Sequence, residues 1–358
     1  MSVTRITVKG EHPYDVVVGS GVQAELPGLL KPGVRTVAVI HPQGLPELAA
    51  PVREALTAAG HEVAALPVPD GEACKTAEVA AGLWSAFGRH GMTRSDAVVG
   101  VGGGATTDLA GFVAATWLRG VQVVLVPTTL LAMVDAAVGG KNGIDTPEGK
   151  NLVGTFLPPA GVLCDLDALA GMPKADYVAG LAEIIKGGWI ADPVILDLVE
   201  ADPEGATRPD GPHTRELIER KIRVKADVVG ADLRESGLRE ILNYGHTLAH
   251  AIERNEHYTI RHGEAVAIGM VYAAELSRLA GRLDPALVER TRAVLTSVGL
   301  PVSYDAAAWP RLRDHMRLDK KNRGARQRFV VLDGLARPGR LEAPDEELLE
   351  AAYREISR

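Results

Sequence analysis

Residues 243–264, NYGHTLAHAIERNEHYTIRHGE, concentrate side chains that bind metal ions and move protons. They hold four of the chain's ten histidines together with three glutamates. His246 and His250 are four residues apart and share one face of a helix, and His262 follows a short polar break that could fold the chain back. Neutral imidazoles converging with a carboxylate are typical ligands of Zn²⁺ and similar ions. The spacing predicts a metal or catalytic site, against the alternative of a surface helix with ordinary histidines.

A second motif, Ala97–Asp108, is an apolar run that ends in glycines and passes into a predicted helix. Backbone N–H groups at such a helix start can approach phosphate oxygens. Gly100, Gly102 and Ala105 match the G-x-G-x-x-A form of the dinucleotide fingerprint. The acidic residue expected about 20 positions later is missing, because Val121–Val126 contains none. The motif therefore indicates a nucleotide site, although such a turn can also serve only to pack a helix on a strand.

Acidic residues near this turn have two open interpretations. Asp70 and Glu72, in PDGEACK, could supply the missing ribose contacts. Asp108 could instead cap the helix that follows the glycines.

A third set of residues is cationic. Lys141, Lys150 and Asn151 lie in VDAAVGGKNGIDTPEGKN, a loop dense in glycine, where the backbone leaves room for an anion. Lys186 follows Glu183 by three residues, so the two share a helix face. Further cations lie on either side of the histidine segment, at Lys225, Arg239, Lys320 and Lys321. Together with the predicted metal and dinucleotide sites, these residues predict redox chemistry on a phosphorylated, hydroxylated substrate.

Length and composition set the class of protein. The 358 residues exceed the usual size of one domain, so two domains are predicted. An apolar content of 46% with 24% charged residues is typical of a soluble globular protein, and no uncharged apolar run is long enough to span a membrane. A net charge of −7 argues against a nucleic-acid partner. Two cysteines, Cys74 and Cys164, and the lack of a signal-peptide core predict a cytoplasmic protein.

The first half of the chain alternates short Val- and Ala-rich runs with helical stretches, which predicts a mostly parallel sheet covered on both faces. The predicted strands are Thr36–Ile40, Glu62–Val68, Ala97–Val101, Val121–Val126 and Val162–Cys164, and the predicted helices Leu48–Ala59, Ala77–His90 and Thr107–Leu118.

Beyond Gly171 the patterns become long and helical. The predicted helices are Tyr177–Trp189, His213–Val229, Leu238–Asn255, Glu264–Leu279 and Ala286–Val298, with a loop at Pro203–Pro212 and one extended run at Arg328–Leu332. We therefore predict an α/β domain over residues 1–172 and an α-helical domain over 173–358.

Six segments of the chain carry a resemblance to a known family. In chain order they are GGGATTDLAGFVAATWLRG, PTTLLAMVDAAVGGKNGIDTPEGKNLVG, GLAEIIK, LREILNYGH, GHTLAHAIE and HGEAVAIGM. Together they resemble the 3-dehydroquinate synthase family of the shikimate pathway, one branch of the sugar phosphate cyclases. The resemblance implies a Rossmann-like NAD-binding α/β domain, an all-α metal- and substrate-binding domain, and one divalent ion, zinc or cobalt. It also implies a homodimer with a shared active site, and conversion of 3-deoxy-D-arabino-heptulosonate 7-phosphate to 3-dehydroquinate and phosphate.

The same resemblance implies roles residue by residue. The metal ligands would be Glu183, His246 and His262, which replaces the pair His246 and His250 favoured by helical spacing; His250 would contact substrate or relay protons. Arg119 would reach the phosphate site of the neighbouring subunit. The other substrate-contacting positions are Asp135, Lys141, Asn151, Lys186, Lys225, Arg239, Asn243 and one of Lys320 and Lys321. The NAD-binding positions are Asp70, Gly71, Glu72, Lys75, Gly103, Gly104, Ala105, Asp108, Thr128, Thr129, Lys141, Lys150 and the turn near Leu169.

Three alternatives stay open on the sequence. Related cyclases that make amino-dehydroquinate, 2-deoxy-scyllo-inosose or 2-epi-5-epi-valiolone share the scaffold, metal-dependent polyol dehydrogenases have a similar fold, and a paralogue used only for assembly would have lost a metal ligand. Asn142, Asp145 and Ala249 depart from the residues usual in the family and leave fine substrate preference open.

Overall fold

The chain folds into two compact units. The computed structural model describes residues 3–323 and 327–358, except for the side chains of 318–323. Unit 1 comprises Met1–Met172 and Lys225–Arg234, and unit 2 comprises Pro173–Val224 and Glu235–Arg358. The first division falls at the residue where the sequence pattern changes.

The short segment Lys225–Arg234 belongs to unit 1, whereas the sequence places it in the helical domain. Its contacts explain this assignment. The Lys225 ammonium lies 2.6 Å from Asp135 Oδ1, and Gly230 packs so closely on Lys9 that a Cβ atom there would lie 2.7 Å from the Lys9 carbonyl oxygen. Long-range packing of this kind leaves no local pattern in the sequence.

Unit 1 is built on a seven-stranded sheet in the order β1-β2-β9-β6-β5-β3-β4. β1 pairs with β2 in the antiparallel sense, and the other neighbours are parallel. The strands are β1 Thr4–Val8, β2 Tyr14–Gly19, β3 Thr36–Pro42, β4 Glu62–Val68, β5 Ala97–Gly102, β6 Gln122–Pro127 and β9 Gly161–Asp165. The predicted strands and the mostly parallel sheet are confirmed.

Helices of unit 1 follow the strands. They are α1 Ala50–Ala58, α2 Ala77–Arg89 and α3 Gly104–Thr116, close to the predicted bounds. The strands β3 and β5 are buried on both faces, which is why they read as continuous apolar runs. Their side chains form a core with those of α1, and Val39, Val99, Val52 and Leu56 all belong to one buried cluster.

The glycine-dense segment predicted as a loop is a β-hairpin. β7 Lys141–Thr146 pairs with β8 Gly149–Phe156 in the antiparallel sense. Asn142 stabilises the base of the hairpin, because its buried amide donates to the carbonyl oxygens of Gly140 at 3.0 Å and Leu157 at 3.2 Å. Asn142, which differs from the residue usual in the family, therefore contacts the backbone at the base of the hairpin.

Unit 2 is helical around α9. The helices are α4 Lys174–Ile190, α5 Val194–Ala201, α6 Pro203–Ala206, α7 Thr214–Ala231, α8 His246–Asn255, α9 His262–Leu279, α10 Pro285–Ser297, α11 Trp309–Arg323 and α12 Glu346–Arg354. α7 ends within unit 1. α9 contacts α4, α8, α10 and α12 and is buried over most of its length. None of the helices in the described part of the chain combines the length and hydropathy of a membrane span.

Two predictions for unit 2 are wrong in detail, and a third, correct in its bounds, is incomplete. The single helix predicted over Leu238–Asn255 is a 3-10 segment, Leu238–Asn243, followed by a break and then α8. The predicted loop at Pro203–Pro212 contains α6. The extended run β10 Arg328–Leu332 has a partner strand, β11 Pro338–Glu342, that the sequence does not reveal.

The break before α8 has a steric cause. Gly245 has a left-handed backbone with φ of 81°, and a Cβ atom there would lie 2.8 Å from the backbone nitrogen of Met270 on α9. Only glycine combines that backbone with that approach. The turn lets α8 lie directly against α9 and makes His246 the first residue of a helix.

A pair of glycine substitutions tests the packing of the hairpin. At Gly111 on α3, a Cβ atom would lie 1.8 Å from the held amide oxygen of Asn142, so we expect Gly111→Ala to destabilise the protein by about 1–3 kcal/mol. Gly82 on α2 has open space around it, so Gly82→Ala should stabilise by about 0.5–1 kcal/mol through helix propensity. Urea unfolding measures both, and a Gly111→Ala protein as stable as wild type would contradict this packing.

Candidate metal and cofactor site

Three side chains of unit 2 form a cluster that could hold a metal ion. Glu183 lies in the middle of α4, and His246 and His262 are the first residues of α8 and α9. Glu183 Oε1 lies 3.6 Å from His246 Nε2 and 3.8 Å from His262 Nε2. One donor atom from each residue falls within 4.8 Å of the other two. The three residues named by the family resemblance are thus brought together.

Close helix packing produces this convergence. Gly263, next to His262, lies against α4 so closely that a Cβ atom would be 1.7 Å from the carbonyl oxygen of Ala179. Ala179 precedes Glu183 by one helical turn, so both are on the same side of α4. The contact of Gly263 with Ala179 therefore sets His262 beside Glu183.

Both histidine rings are oriented by an outer partner. His246 Nδ1 lies 3.2 Å from the carbonyl oxygen of Tyr244, and His262 Nδ1 lies 3.1 Å from Glu253 Oε1. A carbonyl accepts but never donates, so His246 carries its hydrogen on Nδ1 and presents a lone pair on Nε2. Metal-binding histidines are held by such partners almost without exception. The ring orientations, and not only the donor types, fit a divalent ion.

The Glu183 carboxylate is fully buried and lies between histidines and lysines. Lys186 Nζ is 3.0 Å from Oε1 and 2.7 Å from Oε2, and Lys221 Nζ is 3.8 Å from Oε2. Within the described chain, Oε2 accepts no hydrogen bond of good geometry. Burial would raise the pKa of the Glu183 carboxyl, but the ammonium of Lys186 and the His262 ring hold that pKa well below its usual range. The carboxylate is therefore ionised, as a metal ligand must be.

The two rings differ in protonation. Burial and the nearby Lys186 hold the pKa of His246 well below its usual value, so this ring is neutral. Burial also lowers the pKa of His262, but the carboxylates of Glu183 at 3.8 Å and Glu253 at 3.1 Å outweigh it and raise the pKa to about 10. In the metal-free protein His262 holds a proton between two carboxylates, and a metal ion would replace that proton.

His250 does not join the three-residue cluster. Its ring lies 5.3 Å from that of His246, centroid to centroid, and its side chain is exposed. The i, i+4 spacing correctly places it on the same face of α8, but one turn away from Glu183. His257, also in the histidine-rich segment, is exposed and follows the end of α8.

The structure also shows the surroundings of two other predicted site residues of unit 2, Arg239 and Asn243. Arg239 is buried in the 3-10 segment before α8, and Asn243 donates its amide to Glu235, a residue that the sequence interpretation missed. It also missed Lys221 and Glu253. A signal existed for Glu253, which follows His246 by seven residues and so lies two turns along the same face of α8. The side chains of Lys320 and Lys321 lie outside the described residues.

The glycine turn of unit 1 has the geometry of a nucleotide-binding turn. β5 ends at Gly102, and α3 begins at Gly104 without a side-chain cap. A Cβ atom at Gly100 would lie 2.5 Å from Ala110 Cβ on α3, so the glycine allows helix and strand to pack closely. The free N–H groups of the first turn fit a phosphate. Thr128 donates its N–H to the carbonyl oxygen of Gly102, and Thr129 lies against Gly103.

Asp108 does not cap α3, contrary to one interpretation of the sequence. It lies inside the helix, and its carboxylate is 2.9 Å from the Lys75 ammonium. Lys75 is buried and also donates to Asn151 Oδ1 at 2.5 Å. Burial raises the pKa of Asp108 to about 6, against the opposing effect of Lys75. Lys75 thus joins a predicted cofactor residue to a predicted substrate residue.

Four of the other predicted residues of unit 1 form two ion pairs. Lys225 donates to the carboxylate and the carbonyl of Asp135, and Lys150 lies 3.2 Å from Glu72 Oε1. Asn151 has a left-handed backbone with φ of 56°, and its N–H donates to Asp145 Oδ1 at 2.8 Å. Asp145 thus holds the turn that carries Asn151. Lys141 is the first residue of β7 and its side chain is exposed. The Asp70 carboxylate accepts a hydrogen bond from the Gly44 N–H, and Gly71 follows Asp70 in the chain. Leu169 is buried in the core.

Arg119 is at the far end of α3 from the glycine turn. It closes the short segment Trp117–Arg119, has a positive φ of 67°, and is exposed. Ala249, the third family departure, is buried on α8.

Comparisons with known proteins agree over the whole chain. The family described as 3-dehydroquinate synthase N-terminal matches residues 65–179, and the family described as 3-dehydroquinate synthase C-terminal matches residues 180–322. A 3-dehydroquinate synthase of Thermobifida fusca is 68% identical over 358 residues, covering 100% of this chain and 97% of that protein. The 3-dehydroquinate synthase of Streptomyces avermitilis is 62% identical, covering 99% of each.

Solved structures show the same fold. A 2-deoxy-scyllo-inosose synthase complexed with carbaglucose-6-phosphate, NAD⁺ and Co²⁺ has a TM-score of 0.88 and 26% identity, covering 99% of this chain and 100% of that one. The 2-epi-5-epi-valiolone synthase of Streptomyces hygroscopicus, with NAD⁺ and Zn²⁺ bound, has a TM-score of 0.88 and 26% identity, covering 99% of each. The sequence matches and the fold lead to one conclusion: the chain belongs to the 3-dehydroquinate synthase family.

Proposed function

We propose that this chain is a 3-dehydroquinate synthase that converts 3-deoxy-D-arabino-heptulosonate 7-phosphate to 3-dehydroquinate and inorganic phosphate. The observation that carries the proposal is the buried Glu183 carboxylate facing two histidine rings, each oriented by an outer partner. The identity of 56–68% to full-length 3-dehydroquinate synthases supports the same substrate.

Glu183 Oε1 and the Nε2 atoms of His246 and His262 would hold one divalent ion, zinc or cobalt. Such an ion, when bound, lowers the pKa of a substrate hydroxyl and polarises the carbonyl that replaces it. Tyr244 and Glu253 keep the two rings in the required orientation. His250, exposed with its ring 5.3 Å from that of His246, would exchange protons with solvent or substrate.

The glycine turn at Gly102–Gly104, with Thr128, Thr129 and the segment from Asp70 to Lys75, would hold NAD. NAD, when bound, takes a hydride from the substrate and later returns it, so the overall reaction has no net oxidation. The uncapped start of α3 offers N–H groups to the dinucleotide phosphates. The buried Lys75 ammonium lies 2.9 Å from the Asp108 carboxylate, one turn along the helix that begins at these glycines.

Cationic side chains would bind the anionic parts of the substrate. Lys225 is fixed by Asp135 and Asn151 by Lys75, so both donors are oriented before substrate arrives. Donors held in this way stabilise the charge that grows on a leaving phosphate more than mobile ones do. Arg239 is buried and suits bidentate contact with a carboxylate. With the elimination activated by the neighbouring ketone, oxygens of the phosphate can accept the proton and a separate strong base is unnecessary.

Two alternatives differ in product. Other sugar phosphate cyclases share the fold at 26% identity, and polyol dehydrogenases share it at lower identity, as in a probable glycerol dehydrogenase with a TM-score of 0.62. Phosphate release from the heptulosonate phosphate, its amino analogue and sedoheptulose phosphate separates the possibilities. We expect rapid release from the first substrate alone, and preference for another substrate would assign the chain to another cyclase.

Metal dependence follows from the cluster. We expect His262→Ala to lose the ion and its activity while remaining folded, because the ring is a ligand and not part of the helix core. Metal content, phosphate release and circular dichroism measure the three outcomes. His257→Ala, in the same segment but exposed, is the matched control and should keep its metal. Full activity in thoroughly demetallated protein would contradict the assignment.

The cofactor should be catalytic. One equivalent of NAD⁺ per subunit should support many turnovers, since each hydride removed is returned within the same cycle. Near-ultraviolet absorbance during turnover checks this, and we expect no lasting NADH. Accumulation of NADH in step with product would instead indicate a polyol dehydrogenase.

We also infer a homodimer in which Arg119 completes the partner's phosphate site. α3 has 13 residues and spans about 20 Å, so Arg119 lies far from its own nucleotide turn. A two-fold dimer makes the exchange reciprocal. The buried, reduced cysteines Cys74 and Cys164 support a cytoplasmic location for this assembly.

Mixing two variants tests the shared site. We expect Arg119→Ala to weaken phosphate binding with little loss of stability, because the side chain is exposed. Equal mixing with Lys141→Ala should restore activity to at most about a quarter of wild type, because half of the dimers are mixed and each has one complete site. No recovery after verified subunit exchange would count against the dimeric site.

A further inference from the structure

Lys221 is a wholly buried lysine beside the proposed metal centre. Its side chain is 0% exposed, and its Nζ lies 3.8 Å from Glu183 Oε2. It projects from α7 and belongs to none of the motifs that carry the family resemblance. A lysine is rarely buried in this way unless an anion compensates its charge. Because the side chain has no exposed surface, Lys221 cannot touch a substrate and can act only through its neighbours.

The fold provides a specific space for this side chain. Gly187 lies one turn after Glu183 on α4, and a Cβ atom there would lie 2.7 Å from Lys221 Cδ and 3.4 Å from Cε. The missing side chain at Gly187 allows the stem of Lys221 to cross α4. The position of the ammonium is therefore set by helix packing and is not one rotamer among many.

The two oxygens of Glu183 have different surroundings. Oε1 faces Nε2 of both histidines, at 3.6 and 3.8 Å, and also accepts a hydrogen bond from Lys186 at 3.0 Å. Oε2 faces two ammonium groups, Lys186 at 2.7 Å and Lys221 at 3.8 Å. One carboxylate and two lysines carry a net charge of +1, which disfavours a dication nearby. A site selected only for tight metal binding would not place a second lysine there.

We propose that Lys221 is a positioning residue whose charge attracts the outer oxygen of Glu183, favours coordination of the metal ion through Oε1 alone, and limits how tightly the ion is bound. This inference rests on the proposed role of Glu183 as a metal ligand. Without the Lys221 charge, Oε2 is less strongly engaged and the repulsion of the dication falls. Both changes favour tighter binding of the ion and its coordination by both oxygens of Glu183.

The test is the metal affinity of Lys221→Met, which keeps the length of the stem and removes the charge. Apoprotein is titrated with Zn²⁺ against a chromophoric chelator, and with Co²⁺ while the visible absorption is recorded. We expect tighter Zn²⁺ binding by roughly ten- to a hundredfold, the range over which outer partners of metal ligands act. The Co²⁺ absorption should weaken as the coordination number rises. Arg223→Met, on the same helix and half-exposed, should match wild type in both.

Two further variants separate the charge of Lys221 from its position. Lys221→Arg retains the charge and should keep the wild-type spectrum. Gly187→Ala displaces the lysine stem without removing the charge and should shift affinity in the same direction as Lys221→Met, so it replaces that variant if Lys221→Met does not fold. Unchanged or weaker metal binding in both Lys221→Met and Gly187→Ala would overturn the role of Lys221. Wild-type metal binding by Glu183→Gln would instead overturn the metal-ligand assignment itself.

Discussion

The buried carboxylate of Glu183 is the constraint on which the helical unit depends. A buried charge is tolerated only when it is paired, and here it lies among two lysines and two histidines. Three helices must approach closely to supply those partners, and glycines make the approach possible. Gly245 allows α8 to lie against α9, Gly263 allows α9 to meet α4, and Gly187 admits the stem of Lys221. The close helix packing of unit 2 therefore supplies the partners that the buried Glu183 charge requires.

Unit 1 also contains a buried, paired charge, but this charge is positive. Its buried group is the ammonium of Lys75, and the partners are the Asp108 carboxylate and the Asn151 amide oxygen. Asn151 has a left-handed backbone at this contact, and the hydrogen bond from its N–H to the Asp145 carboxylate stabilises that conformation. In each unit a buried charge is paired with side chains that we propose to bind metal, cofactor or substrate, so the fold orients these side chains before any ligand is present.

Local patterns predicted much of this structure. The strands β3 to β6 and the helix α2 follow from apolar periodicity and were found close to their predicted bounds. The family motifs named the three clustered residues, whereas helical spacing alone favoured His250, because i, i+4 reports a shared face and not a shared ligand. What the sequence could not predict depends on contacts between distant residues. The β7–β8 hairpin, the break at Gly245, the transfer of Lys225–Arg234 to unit 1 and the burial of Lys221 all have such causes.

Crystallography of the Co²⁺-loaded protein, with anomalous diffraction at the cobalt edge, would locate the ion and its ligands. We expect one strong peak per chain, bonded at about 2.0–2.2 Å to Glu183 Oε1 and to Nε2 of His246 and His262. We also expect His246 Nδ1 to remain hydrogen-bonded to the Tyr244 carbonyl and His262 Nδ1 to Glu253. A peak bonded to His250 in place of His262, or through the Nδ1 atoms, would contradict this ligand assignment.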